Sequence, residues 1–253
     1  MLFIDIDGTT FYTPQQKVLA STYTALEKLK QNGVKIFINS SRSFDEMINL
    51  DARFLSYMDG ISTCAGALMM LDGKIFSQEI AHYQEIISNF EKEQITYRYV
   101  TADNHGYLNQ KNIKVEQLFN RLYNYIPPVK PYHGEKIIHL LYYPKDNDVH
   151  YEKKYPHLFK DNTVIVFSNA HECLHHTRDK GSVIEMVCKY YGASIVDTYA
   201  IGDGTNDIDM LKKAHVGIAM GNGKPALKAV SDYVTASIEE DGFLKAMLHY
   251  KLI

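Results

Sequence analysis

Tryptophan is absent from this chain, and cysteine is scarce. The three cysteines, Cys64, Cys173 and Cys188, are scattered and odd in number. That argues against a disulfide framework and for free thiols in a reducing compartment. No apolar run approaches the roughly 20 residues that a membrane-crossing helix needs. Neither sign of charge dominates, since 27 Lys and Arg face 30 Asp and Glu for a formal net charge of −3. Basic clusters with interleaved aromatics are missing, which removes the electrostatic footprint of a nucleic-acid binder. Met1 leads straight into an apolar stretch with no charged leader before it. The expectation is a cytoplasmic protein with no signal peptide. Internal repeats and low-complexity tracts are absent too.

What is present is a large apolar fraction, 45% of 253 residues, enough for a packed interior. That length fits one large domain or a core with an accessory domain. Leu2–Ile6 is a short apolar run rich in branched and aromatic residues, as expected of a strand buried on both faces. Thr13 as N-cap, Pro14 in the first turn and Gly33 just past the end punctuate a helix between them. Its apolar face is Val18, Thr22, Ala25, Leu26 and Leu29. "VKIFIN" is the next strand, and Ser43 to Glu46 ("SFDE") has the form of a capping box opening another helix. Strand, helix, strand, helix describes a βαβ unit and a parallel sheet. Asp72-Gly73 marks a hairpin between two further apolar runs.

The texture changes after Ile80. Residues near 82–94 and 114–126 read as helices, whereas "TYRYVTA", "KIIHLLYY" and "TVIVFSN" read as strands. The α/β rhythm returns at Lys180 with "KGSVIEMVCKYYG", "DTYAIGDG", "TNDIDMLKKA" and "VGIAMG", followed by two closing helices. The expected architecture is therefore α/β. A Rossmann-like parallel-sheet core, residues 1–80 and 177–253, is interrupted by an inserted α+β cap at 81–176.

Acidic residues cluster where such a core binds ligands, at the carboxyl ends of its strands. Asp5 and Asp7 stand two apart at the end of the first strand, so their side chains point the same way if the strand continues. Two like charges there need a counter-ion, and oxygen ligands of this kind suit Mg²⁺. Any single Asp-Gly is more commonly a turn or cap. A second acidic loop, Asp203 with Asn206 and Asp207, again follows an apolar strand and opens a helix. If the two strands are neighbours, Asp203 completes a three-carboxylate site. Ser40 and Ser41 follow the second strand, placed to donate to a phosphate or simply to form a turn. Lys180 starts a helix, where a cation opposes the macrodipole and implies an anion nearby.

These motifs, "DIDGT" at 5–9, Ser40 in "NSSR", Lys180 in "KGS" and "GDGTNDIDM" at 202–210, occur in order with "GIAMGNG" and "SDYVT" behind them. The sequence resembles the haloacid dehalogenase superfamily of phosphohydrolases, specifically its Cof-type group with a C2B-type α/β cap. The resemblance covers both core segments. It implies Asp5 as nucleophile forming an aspartyl-phosphate, and Asp7 as general acid and then base. It implies Ser40 and Lys180 on the phosphoryl oxygens, Asn206 on the substrate, and Asp207 supporting the metal shell or Lys180. The implied metal is Mg²⁺, held by Asp5, Asp203 and the backbone carbonyl of Asp7. The expected function is phosphate-ester hydrolysis of small phosphorylated metabolites, sugar phosphates foremost. A phosphotransferase or mutase using the same intermediate, and a non-catalytic phosphometabolite-binding protein, stay open as alternatives. Tyr97, Tyr99, His105 and Tyr107 are candidate cap residues facing the substrate. Relatives commonly carry Thr-Gly-Arg where this chain has Ser40-Ser41-Arg42, and Asn-Gly-Ala where it has Ala65-Gly66-Ala67.

Two other patterns carry less. "HECLHHT" at 171–177 gathers three histidines and a cysteine but has no zinc-ligand spacing, so a connector or edge strand is expected, with His171 or His175 at most lining the site. "GNGK" at 221–224 lacks the spacing of a P-loop.

Overall fold

The structure, a computed structural model, describes residues 1–166 and 170–253. It divides into two compact units, one formed by Met1–Ser41, Asn49–Ile75 and Asp179–Ile253, the other by Arg42–Ile48 and Phe76–Arg178.

The first unit is built on an eight-stranded sheet. Its order is Tyr233–Val234, Val216–Ala219, Tyr199–Gly202, Leu2–Ile4, Ile36–Asn39, Gly60–Thr63, Leu68–Leu71 and Lys74–Ser77. The strands from Tyr233–Val234 to Gly60–Thr63 run parallel, and Leu68–Leu71 turns back antiparallel. Leu2–Ile4 lies in the middle, with Leu2 opposite both Tyr199 and Ile36. All three of its residues are fully buried, which is why the strand reads as an unbroken apolar run rather than an alternation. Helix Ala20–Gln31 buries Thr22, Ala25, Leu26 and Leu29, the face expected from its sequence. It begins later than expected, however. Thr13 to Gln15 form one 3-10 turn, and Phe11–Tyr12 pairs antiparallel with Lys17–Val18. Buried Phe11 and Val18 sit opposite each other in that ribbon, so cross-strand packing takes the residues that Pro14 alone would have given to a helix. Gly33 does follow the helix end in the left-handed region at φ +73°. Asp72-Gly73 makes the expected hairpin, both residues at positive φ.

The second unit holds a five-stranded antiparallel sheet in the order Asn162–Val166, His171–His175, Ile137–Tyr143, Thr96–Thr101, Gly106–Leu108. Alternation along its strands sorts side chains to two faces. Tyr97, Tyr99, Leu140, Tyr142 and Cys173 pack with Ile86, Ile87 and Phe90 of helix Tyr83–Glu93. On the other face, Leu141 and Tyr143 pack against Leu108 and against Val115 and Phe119 of helix Ile113–Tyr123. Tyr97 and Tyr99 are thus core residues of this unit, not the exposed surface expected of them. The histidine-rich stretch is also no edge, since His171–His175 is an inner strand flanked on both sides. The expected "TVIVFSN" strand is present as Asn162–Val166; its residues 167–169 lie outside the described residues.

The capping box at Ser43 is only half made. Glu46 accepts the Ser43 backbone N–H at 2.8 Å, but the Ser43 hydroxyl accepts from Arg98 instead, and the turn Asp45–Met47 is a 3-10 turn rather than a longer helix. The helix that follows is Ala52–Ser56, capped by Asp51. Arg98 is buried with Glu46 at 3.1 Å, and Asp45 accepts the Gly106 N–H at 2.7 Å, so buried polar bonds fasten Arg42–Ile48 to its own unit.

Candidate active site

Parallel neighbours deliver their following residues to one edge of the sheet. Ile4 stands opposite Ile201, and the Asp5 N–H continues the ladder onto the Ile201 carbonyl at 3.1 Å. Asp5 and Asp203 therefore leave adjacent strands side by side. On the other flank Ser40 follows Ile36–Asn39 and donates its N–H to Ser62. Helix Lys180–Tyr191 starts beside them because Asp179 caps it with a full capping box and Asn39 donates to the Lys180 carbonyl at 2.7 Å.

Lys180 Nζ donates to Asp5 Oδ1 and to Asp207 Oδ1, both at 2.6 Å. All three side chains are buried, with Asp207 fully so. Asp207 Oδ2 accepts the backbone N–H groups of Asp203 and Gly204 at 3.0 and 2.9 Å. A Cβ on Gly202 would come within 2.5 Å of the Asp207 carboxyl carbon, so only glycine leaves space for that carboxylate. Asp5, Asp203 and Asp207 each place one oxygen within 4.8 Å of the others. The cation that looked misplaced at a helix start is thus paired twice, by two carboxylates.

The electrostatics follow from burial. Burial first, and the Asp207 charge second, hold the Asp5 carboxyl well above the ordinary carboxylate range, with Lys180 pulling the other way. Burial and Asp207 likewise push Asp203 up to about 7, Lys180 opposing. Burial works to deprotonate Lys180, but Asp207 and Asp5 outweigh it and raise the ammonium above its usual value. Three carboxylates share one ammonium, so with all of them ionised two negative charges go unmatched. Asp207 has both oxygens engaged, which leaves the second oxygen of Asp5 and the carboxylate of Asp203 to offer a cation. A donor set of carboxylate oxygens with that excess charge fits a hard divalent cation.

Asp7 stands apart from this group. Its Oδ1 accepts from the Thr13 hydroxyl at 3.4 Å, and it lines a cleft of about 380 Å³ together with Gly8, Tyr12, Asp203, Asn222 and Glu239. Asn206 is exposed and donates to the Ser41 hydroxyl at 2.9 Å rather than to any acidic residue. The Ser41 hydroxyl therefore makes a bond that a glycine there could not. Ala65 adopts φ +52° and donates its N–H to the Ser40 carbonyl at 3.0 Å, so its backbone braces the Ser40 turn. His171 is buried and bonds Glu152 at 2.5 Å within the second unit. Two supporting residues escaped the sequence reading. Thr10 donates to the Asp5 carbonyl at 2.8 Å, a role the doubled threonine of "DGTT" signals. Asn222 donates to the Gly8 carbonyl at 2.8 Å and carries no sequence signal beyond its place in "GNG".

A doubly wound sheet with buried carboxylates and a lysine at its carboxyl edge defines a class of hydrolase in which phosphorus chemistry is run by aspartate. The model of the haloacid dehalogenase-like hydrolases matches residues 2–247, and the chain belongs to that family. It is 26% identical to the Bacillus subtilis protein named "Putative phosphatase YkrA", over all of this chain and 98% of that one. Among solved structures it resembles the HAD subclass IIB sugar phosphatase BT4131, with 26% identity, TM-score 0.86, and coverage of 100% of this chain and 99% of the other. A phosphatase of the same superfamily, BT1666 from Bacteroides thetaiotaomicron, shares the fold at TM-score 0.83 and 24% identity, covering 100% of this chain and 95% of that one. The protein is an enzyme of the family's phosphatase type. Among the described residues, no helix is long and apolar enough to cross a membrane.

Proposed function

We propose that the protein is a cytoplasmic, Mg²⁺-dependent phosphatase of small phosphorylated metabolites, sugar phosphates foremost, working through an aspartyl-phosphate on Asp5. The observation that carries this reading is the division of labour within one buried cluster. Lys180 occupies one oxygen of Asp5 and no hydrogen bond among the described residues falls on the other, so Asp5 is held but not spent. The likeness to a subclass IIB sugar phosphatase supports the choice of substrate class.

In the first step an Asp5 oxygen forms a bond to phosphorus while the bond from phosphorus to the ester oxygen breaks. Asp7 gives its proton to the departing alkoxide. In the second step Asp7 takes a proton from water, whose oxygen bonds phosphorus and releases Asp5. Such proton transfers contribute roughly 10²–10⁴-fold. Lys180 stays charged throughout and faces the phosphoryl oxygens with Ser40, while Asn206 meets the substrate from the Ser41 side. Asp207 holds Lys180 and the Asp203 loop. Asp5, Asp203 and the Asp7 carbonyl would hold Mg²⁺, which when bound neutralises charge on the transferring phosphoryl group. The second unit, with its tyrosine-rich core, acts as the cap that selects the leaving group.

The test is release of phosphate from p-nitrophenyl phosphate by purified protein with Mg²⁺, followed by a panel of phosphorylated metabolites. Activity lost on adding EDTA and in Asp5→Asn is the expected result. Failure to hydrolyse any phosphate ester with Mg²⁺ present overturns the reading. Adding an alcohol acceptor and analysing products separates hydrolysis from phosphoryl transfer.

A further inference from the structure

The proposed cation site is assembled from two loops nearly 200 residues apart in sequence, and neither can hold an ion alone. One is the turn after the first strand, which contributes Asp5 and the Asp7 carbonyl. The other contributes Asp203. We infer that Asn222 is the positioning residue that joins these two loops into one cation site, an inference that rests on the reading above.

Asn222 is exposed, yet both ends of its amide are committed. Its Nδ2 donates to the Gly8 carbonyl at 2.8 Å and reaches Asp203 Oδ2 at 3.4 Å, while its Oδ1 accepts the Ile238 N–H at 2.9 Å. The first contact is strong by geometry, and the second is long, so it orients the carboxylate more than it binds it. The loops it bridges are already in close approach. Gly8 lies at φ +75°, and a Cβ there would fall 2.3 Å from Asp203 Oδ2, so the Asp203 carboxylate packs on the Gly8 backbone itself. The peptide joining Asp7 to Gly8 is fixed on its other side, where the Gly8 N–H donates to the Phe11 carbonyl at 3.0 Å. Asp203 is held as firmly. Its N–H goes to Asp207, its carbonyl accepts the Lys224 N–H at 2.9 Å, and Lys224 lies two residues beyond Asn222. Without Asn222, the carboxylate and the Gly8 carbonyl would present two oxygens to each other with no donor between them. The glycine-flanked "GNG" is what allows this side chain to enter. A Cβ on Gly221 would come within 2.5 Å of the Ser237 backbone nitrogen, and one on Gly223 within 2.8 Å of the Met220 carbonyl.

Residues that orient metal ligands typically cost 10–100-fold in metal affinity when removed. The experiment is calorimetric titration of the full-length protein with Mg²⁺ and, separately, Mn²⁺, in the absence of substrate. Asn222→Ala is expected to raise the dissociation constant about 10–100-fold. Should Asn222→Ala fail to fold, Asn222→Ser retains a polar group that is too short to reach all three partners, and the same loss is expected. Tyr12→Phe is the control for a merely structural effect. It removes the bond from Tyr12 to Glu239 that ties the same 237–240 turn, without touching Asp203, and should leave the dissociation constant unchanged. Equal affinity in parent and Asn222→Ala overturns the inference and leaves the phosphatase reading standing. Equal weakening by Tyr12→Phe overturns it too, because Asn222 would then only brace the turn. A parent protein that binds neither cation overturns the phosphatase reading itself.

Discussion

Both units bury charged side chains, and the two sets of charges are arranged to opposite ends. In the second unit Arg98 meets Glu46 at 3.1 Å, one buried carboxylate to one cation. In the first unit one lysine serves two aspartates while a third, Asp203, stands beside them with no ion pair of its own among the described residues. Matched burial fastens a fold. Unmatched burial is an unfinished electrostatic problem, and under the reading proposed above a cation and a phosphate ester would complete the balance. Burial together with a surplus of carboxylates, three around one lysine, holds Asp5 and Asp203 above the ordinary carboxylate range.

The comparison can be broken most decisively at Asp5. Asp5→Asn keeps the shape and removes the proposed nucleophile, and phosphate release is expected to fall to background in a steady-state assay with Mg²⁺. Asp7→Asn should cost roughly 10²–10⁴-fold with an alkyl phosphate. With p-nitrophenyl phosphate the loss in the first step should be smaller, because that leaving group departs without a proton; equal losses on both substrates would deny Asp7 its acid role. On the other side of the comparison, Arg98→Met strands Glu46 in a buried position and should lower unfolding free energy by about 3–5 kcal/mol, read from urea denaturation. The pair Arg98→Met and Glu46→Leu should recover most of that, with Mg²⁺ affinity untouched throughout. A fall in Mg²⁺ affinity there would erase the distinction between matched and unmatched burial.

A further effect is a pH dependence. Asp203 is pushed up to about 7 in the folded protein, against an ordinary value of 3.8. Between those values the folded state keeps a proton that the unfolded chain has released. Stability of the metal-free protein from this group therefore falls as pH rises from about 4 to about 7, then levels off. Asp203→Asn should flatten that part of the thermal-melting profile and leave the metal-free variant more stable than the parent at pH 8. Mg²⁺ should stabilise the parent at pH 8 and not the variant.

Much of this was legible in the sequence, for identifiable reasons. Parallel strands buried on both faces announce themselves as unbroken apolar runs, and acidic residues just past them are conspicuous. Lys180 betrayed a partner because a helix start is the wrong place for a lone cation. What stayed hidden depended on contacts distant in sequence. Pro14 and Thr13 signalled a helix, but Phe11 packing opposite Val18 made a ribbon. Ser43 and Glu46 signalled a helix cap, but Arg98, over 50 residues away, claimed the serine hydroxyl. Tyr97 and Tyr99 looked like surface because tyrosine tolerates either place, and only the sheet's alternation settles that they point into the core. Asn222 was invisible because its partners, Gly8, Asp203 and Ile238, lie on three separate loops.

The segment Arg42–Ile48 belongs with Phe76–Arg178 although 27 residues of the first unit, Asn49–Ile75, intervene. Anyone exchanging this unit between relatives must therefore carry two pieces of chain, not one. A graft of 76–178 alone would arrive with Arg98 deprived of Ser43 and Glu46, and with the Gly106 amide missing Asp45. The seven-residue strip is the part of the donor that a sequence-guided chimera would leave behind.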